Sequence, residues 1–229
     1  MAEHTVKAFD HEIDQLRGLI AEMGGRAESA LEQAMSALIR RDQKLAAEVV
    51  KNDAKIDVLE SQIEKLAVQT IALRAPLAND LREVVAALKI AGVVERIGDY
   101  AKNIAKRAPL IIANKNLEPL SLLPAMGQIA GEMVHDALNA FSARNADLAI
   151  AVVERDRVVD DFYNSIFRTL LTYMAENPKM ISESAHLLFV AKNIERIGDH
   201  ATNVAEMVYF AATGQYLPDR ERGEAPEDK

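Results

Sequence analysis

The chain has 229 residues, enough for one large domain or two modest ones, each with a real core. It has no cysteine, which excludes disulfides, thiolate metal sites and cysteine nucleophiles and fits a reducing cytosol. The formal charge of −8 comes with no obvious basic face for gripping phosphates, so cations or basic protein surfaces are better partners than nucleic acid. Aromatics make up only 5% of residues and tryptophan is absent, while Ala, Leu, Ile, Val, Glu and Lys dominate, a mixture that favours helix over sheet. Every apolar stretch is broken by charges short of the ~20 residues that a membrane helix needs.

Apolar residues at alternating steps of four and three, Phe9, Ile13, Leu16, Ile20, Met23, Ala27, Ala30 and Ala34, predict a first helix over 6–39. Gly24 and Gly25 within it mark a bend or a close helix contact. Asp42 has the character of an N-cap for a second helix over 43–73, with Val49, Ile56, Leu59, Ile63, Leu66 and Leu73 as its stripe. Pro76 suits the first turn of a third helix reaching to 112, whose stripe is Ile90, Val94, Ile97, Ala101, Ile104, Ala108 and Ile111. Residues 114–124, with two prolines among polar residues, form the expected connection between halves.

The pattern then recurs. Helix four over 122–143 carries Met126, Ala130, Ala137, Leu138 and Phe141, helix five over 146–176 comes after the cap Asn145, and helix six runs from Pro178 to about 212. The pentapeptide Glu-Arg-Ile-Gly-Asp stands at Glu95 to Asp99 and again, 100 positions on, at Glu195 to Asp199. The expected fold is all-α, six long helices in two tandem antiparallel three-helix bundles, with a single six-helix bundle as the structural alternative. Residues 1–115 and 116–216 are the two repeats, and the acidic stretch 217–229 has the composition of a disordered tail.

On a helical wheel Glu95 and Asp99 lie away from the stripe of helix three, and Glu195 and Asp199 repeat this on helix six. Helix two adds Asp53 and Asp57 at the same i, i+4 spacing, continued by Glu60 and Glu64; helix five answers with Asp156 and Asp160. If neighbouring helices lie side by side, four carboxylates meet in each half. Such oxygen-only sets suit hard cations, Mg²⁺, Mn²⁺, Ca²⁺ or iron, rather than structural zinc. For any one pair the plain alternative is a solvated helix face, with Arg96, Lys102, Lys106, Lys192 and Arg196 as surface counter-charges. The interposed Gly98 and Gly198 point to close approach by another helix or a ligand.

Two Glu-x-x-His runs, Glu132 to His135 and Glu183 to His186, share a spacing with di-iron carboxylate bundles, so an iron storage or oxidase bundle is the alternative function. Inward-facing glutamate partners are lacking, however, and Ala86 stands where the second half has His186. No nucleophile elbow, phosphate-cradling glycine loop or triad is present, so no enzymatic activity is expected.

The segments LREVVAALKIAGVVERIGDYAKNIAKR, within 76–107, and LLFVAKNIERIGDHATNVAEMVY, at 187–209, resemble the PhoU family of phosphate-uptake regulators. The resemblance implies two three-helix bundles and multinuclear metal sites at Asp53/Asp57, Glu95/Asp99, Asp156/Asp160 and Glu195/Asp199, with iron, Mg, Mn or Zn as candidate ions. It also implies a cytoplasmic negative regulator, expected as a homodimer, that represses the phosphate-starvation response. Its partners would be the ATPase subunit of the phosphate ABC transporter and a membrane sensor histidine kinase, reaching the membrane only through them.

Overall fold

The computed structural model describes residues 2–111 and 121–217, with side chains from Phe9 onward. The helices are α1 (Ala2–Arg40), α2 (Gln43–Asn52), α3 (Ala54–Arg74), α4 (Ala78–Arg107), α5 (Leu123–Ala143), α6 (Ala146–Glu176) and α7 (Ile181–Thr213). Short 3-10 turns at Ala108–Ile111 and Pro178–Met180 flank α4 and α7. Among the described residues there is no strand. Most of the predicted 114–124 connection, and the predicted tail from 218, lie outside the described residues.

The two halves start their second helices by the same local device. Arg41 and Arg144 adopt left-handed backbone (φ 58° and 51°), letting the next amide reach back to close the helix before. Asp42 N–H donates to the Ala37 carbonyl and Asn145 N–H to that of Ala140, both at 2.9 Å. The same two side chains then cap the next helix: Asp42 accepts from the Lys44 and Leu45 amides, Asn145 from the Leu148 amide, each at 3.0 Å.

The predicted second helix is divided at Asp53, where the Ile56 amide takes the tighter i→i−3 step onto the Asp53 carbonyl at 2.8 Å. Backbone angles at Asp53 stay helical (φ −53°, ψ −42°), so α2 and α3 together make one of six long helical units. Pro76 lies outside α4, not in its first turn. Ala75, barred from the α region by the proline after it, turns left-handed (φ 46°) and ends α3, and α4 begins two residues past the proline.

Packing joins the halves through a central set of four helices, α1, α4, α5 and α7, each in contact with its neighbours in that set. The α2/α3 unit lies against α1 and α4, and α6 against α5 and α7, so each half is a three-helix bundle. One contiguous core runs through both halves, from Ile13 and Leu16 of α1 through Ile90 and Ile97 of α4 to Ile194 and Val204 of α7. Helices α4 and α7 run antiparallel: Arg82 lies against Gly214, the Tyr100 ring meets the His200 ring, and Arg107 meets His186. Because Tyr100 and His200 are repeat equivalents, they meet where the pseudo-twofold axis passes between the halves, as at an isologous interface.

Gly24 serves close contact rather than a bend, since α1 is unbroken and the Leu138 side chain of α5 occupies the place of a Gly24 Cβ. Leu73, placed by periodicity on the α3 stripe, is 64% exposed, and Thr70 is buried instead, its hydroxyl satisfied by the Leu66 carbonyl at 2.8 Å.

Candidate functional site

Gly98 sets the distance between α3 and α4. A Cβ at Gly98 would stand 2.7 Å from Ile56 Cδ1 and 3.7 Å from Asp53 Oδ1, so its absence lets α3 close down on α4 and brings Asp53 beside Asp99. Gly198 does the same for α6 and α7, its Cβ position lying 3.3 Å from both Asp156 Oδ1 and Val159 Cγ1. Asp53 and Asp156 are thereby carried into the seam, where both are buried. Asp57 and Asp160, one turn further along, are exposed, and Glu95 and Glu195 are half-buried at the edge.

In the first half Lys102 sits between the acids. Its Nζ donates to Asp53 Oδ2 at 2.5 Å and also to Asp99 Oδ1. Burial by itself would lower the Lys102 pKa, but the two carboxylate hydrogen bonds outweigh it and the pKa is raised. The Glu95 carboxyl is pushed up, first by burial and then by the charges of Asp99, Glu60, Asp57 and Asp53. Glu60 is pushed up as well, by burial and then by Glu64 and Asp57, with Arg96 opposing. All four predicted acids of this half therefore share one field with Glu60.

In the second half the lysine precedes the pentapeptide instead of following it. Lys192 Nζ donates to Glu195 Oε1 at 2.5 Å, while Glu195 Oε2 is buried with no hydrogen-bond partner. The Asp199 carboxyl is pushed up by surrounding protein first and then by Glu195 and Asp156, with Lys192 and His200 opposing. A buried carboxylate oxygen lacking a donor is costly, and a cation or a donor brought by a ligand removes that cost. The oxygen-only donor set of Asp156, Glu195 and Asp199 thus fits a hard cation. In the first half the Lys102 ammonium already occupies the space between the Asp53 and Asp99 carboxylates. Among the described residues no three His, Asp or Glu side chains already converge in ligating geometry.

The histidine runs are engaged elsewhere. His135 Nδ1 lies 3.1 Å from Glu28 Oε2 on the surface, Glu132 accepts from Gln128, and His186 Nδ1 lies 3.1 Å from Arg107. Sequence reasoning missed a second charged centre, Glu83, which is 6% exposed on α4. Its carboxylate is held by Arg17 of α1, at 2.8 Å from Nε, and by Arg144 at the α5–α6 turn, so it ties the halves together. The sequence carried a signal: Glu83 falls seven residues before Ile90, on the buried stripe, where a charge needs a partner.

These features define a class: a tandem-repeat helical protein with an acidic patch in each half. The PhoU domain profile matches the chain twice, over residues 20–108 and 123–208. The chain belongs to the PhoU family. It is 54% identical over 220 residues to a phosphate-specific transport system accessory protein PhoU homolog from Zymomonas mobilis, covering 96% of this chain and 93% of that one. A homolog of the same name from Caulobacter vibrioides is 48% identical over 221 residues, covering 95% of each. The crystal structure of PhoU from Pseudomonas aeruginosa superimposes with a TM-score of 0.87 at 36% identity, covering 90% of this chain and 100% of that one. The phosphate transport system regulatory protein PhoU from Streptococcus pneumoniae gives 0.85 at 26% identity, covering 92% and 99%.

Proposed function

We propose that this chain is a regulatory accessory protein of phosphate transport. It couples the ATPase subunit of a phosphate ABC transporter to a sensor histidine kinase, and it holds the starvation response down when phosphate is plentiful. The observation that carries the reading is the family match over both repeats, joined to an acidic patch in each of them. The relatives bear the names of accessory and regulatory proteins of phosphate transport. No described helix is long and apolar enough to cross a membrane, which is consistent with a cytoplasmic protein that reaches the membrane through its partners.

In this reading Asp53, Asp57, Glu95 and Asp99, and Asp156, Asp160, Glu195 and Asp199, hold cations that supply positive charge where the carboxylates repel one another. Each half thereby presents a rigid, neutralised face for docking. Residues 1–115 and 116–216 act as the two docking units. Deleting the protein is expected to raise expression from a phosphate-starvation promoter in high phosphate; unchanged expression removes the regulatory reading. A pull-down with wild type and the Asp99→Ala/Asp199→Ala double variant, scored for kinase, transporter ATPase and bound metal, tests the patches. Full partner recovery with no metal in either protein would show a plain helical scaffold.

A further inference from the structure

Away from the acidic patches, a 240 Å³ cavity opens between the N-terminal part of α4 and the C-terminal part of α7. Arg82 and Lys89 line it from α4, Asn203 and Glu206 from α7, and Phe210 and Tyr216 close one side. Two cations therefore face one carboxylate, on a chain whose formal charge is −8. The Phe210 and Tyr216 rings are stacked, with centroids 4.5 Å apart and planes 17° apart, and Tyr216 is 80% exposed. That leaves an aromatic face open beside the two cations.

Arg82 is held in place by the fold. Its guanidinium lies flat against Gly214, where a Cβ would come within 3.2 Å of Cζ and of Nη1, and Nη2 donates to Asn79 Oδ1. Gly214 is left-handed (φ 75°), so its lack of a side chain both permits the turn and makes room for the arginine. Arg82 Nε is buried and has no acceptor among the described residues. A buried donor without a partner on a cavity wall is a place for an acceptor brought by a ligand.

The repeat supplies a comparison within the same molecule. Counted from the doubled pentapeptide, Ala86, Lys89 and Met207 of this cavity correspond to His186, Phe189 and Arg107. There the protein partners itself: Arg107 reaches His186 Nδ1 at 3.1 Å and lies 4.2 Å over the Phe189 ring. In the first-half position the small Ala86 and the flexible Met207 leave space, and the cations lack that aromatic partner.

We propose that this cavity binds a phosphate monoester carrying a flat ring, of the size of a nucleoside monophosphate. Arg82 and Lys89 take the phosphate, since an arginine fork with a second cation is matched to a dianion. The ring stacks on Tyr216, and Glu206 and Asn203 meet hydroxyl or amine groups between the two. The site is separate from the acidic patches, and the proposal stands whether or not they bind metal.

The test is calorimetric titration of the full chain with adenosine 5′-monophosphate, with adenosine, and with inorganic phosphate. Saturable binding of the monophosphate is expected, at least about tenfold tighter than either fragment, because both the charged and the stacking contacts are needed. Lys89→Glu, at an exposed position that leaves the core untouched, is expected to weaken it by at least about tenfold, and Tyr216→Ala by a smaller factor. Circular dichroism of both variants confirms folding. The proposal is overturned if the monophosphate does not bind at millimolar concentration. It is overturned equally if Lys89→Glu binds as wild type does, or if adenosine or inorganic phosphate alone binds as tightly as the monophosphate.

Discussion

Replacing Lys102 by methionine separates the structural role of the first acidic patch from the cation binding proposed for it. Methionine keeps most of the apolar stem and removes the ammonium that bonds Asp53 and Asp99. Exposed ion pairs contribute ~0–1 kcal/mol, and removing one partner of a buried pair costs ~3–5 kcal/mol. The Lys102 side chain is 22% exposed, that of Asp53 10% and that of Asp99 42%, so this bridge lies between those limits. The expected loss at pH 7 is about 2 kcal/mol, or roughly 6 °C in Tm for a chain of this size.

The raised Lys102 pKa fixes the sign of the pH dependence. The bridge contributes fully below the ordinary lysine pKa of 10.5 and is lost as pH rises through the folded-state value. In strong acid the carboxylates protonate and the difference between variant and wild type shrinks. Urea denaturation monitored by far-ultraviolet circular dichroism measures all three conditions, with an unchanged m-value as the check on two-state behaviour. Millimolar Mg²⁺ or Mn²⁺ should then restore the variant more than it raises wild type, since a cation a hundredfold above its Kd contributes about 2.7 kcal/mol. A loss under about 0.5 kcal/mol at pH 7 would refute the bridge as a stabilising element. Equal cation effects on variant and wild type would refute the patch as a cation site.

Glu83→Ala leaves Arg17 and Arg144 facing each other across α1, α4 and the α5–α6 turn and is expected to cost ~3 kcal/mol in urea denaturation, whereas Arg144→Ala, more than half exposed, costs under about 1 kcal/mol. Asp42→Ala and Asn145→Ala each remove one N-cap and should each lower stability by about 1 kcal/mol, additively, because they lie in separate halves. Gly18→Ala meets nothing within 4 Å and should stabilise α1 by up to about 1 kcal/mol. Gly98→Ala, forced onto Ile56, should instead destabilise by ~1–2 kcal/mol despite the same gain in helix propensity. Glu95 and Asp199 have raised carboxyl pKa values, so native stability is favoured in acid and declines as pH rises through the interval above their ordinary values of 4.5 and 3.8. Glu95→Gln and Asp199→Asn should flatten that decline in a pH series of thermal melts.

The helices are legible because each is written in its own residues. The stripe Ile90, Val94, Ile97, Ala101 and Ile104 is buried as its period requires, and both caps bond as Asp and Asn at those places should. Local rules fail where a neighbour intervenes. Pro76 suits a first helical turn by residue type, but its own effect on Ala75 ends α3 and leaves the proline in the gap before α4. Leu73 falls off the buried face, which runs through Leu59, Ile63, Ala67 and Thr70 to Arg74, bonded to Glu12 of α1.

For the acidic patches, the spacing of Glu95, Asp99, Glu195 and Asp199 is enough to place them off the seam, and the doubled pentapeptide to make them equivalent. Their inequality is partly written there too, since at the offset of 100 Thr202 stands where the first half has Lys102, and Gly92 where the second has Lys192. Which acid each lysine reaches is decided by packing: Lys102 of α4 crosses to Asp53 as well as bonding Asp99, while Lys192 bonds Glu195 Oε1 and Glu195 Oε2 is left buried without a donor among the described residues. The cavity beside Arg82 likewise exists only in three dimensions, since it needs α4 antiparallel to α7 and Gly214 against the guanidinium. The sequence by itself determined the helices, their caps, the repeat and the faces that carry charge, all consequences of contacts within a few residues. Which charge meets which, and where space is left between helices, rests on contacts between residues far apart in the chain, and only the tertiary packing decided those.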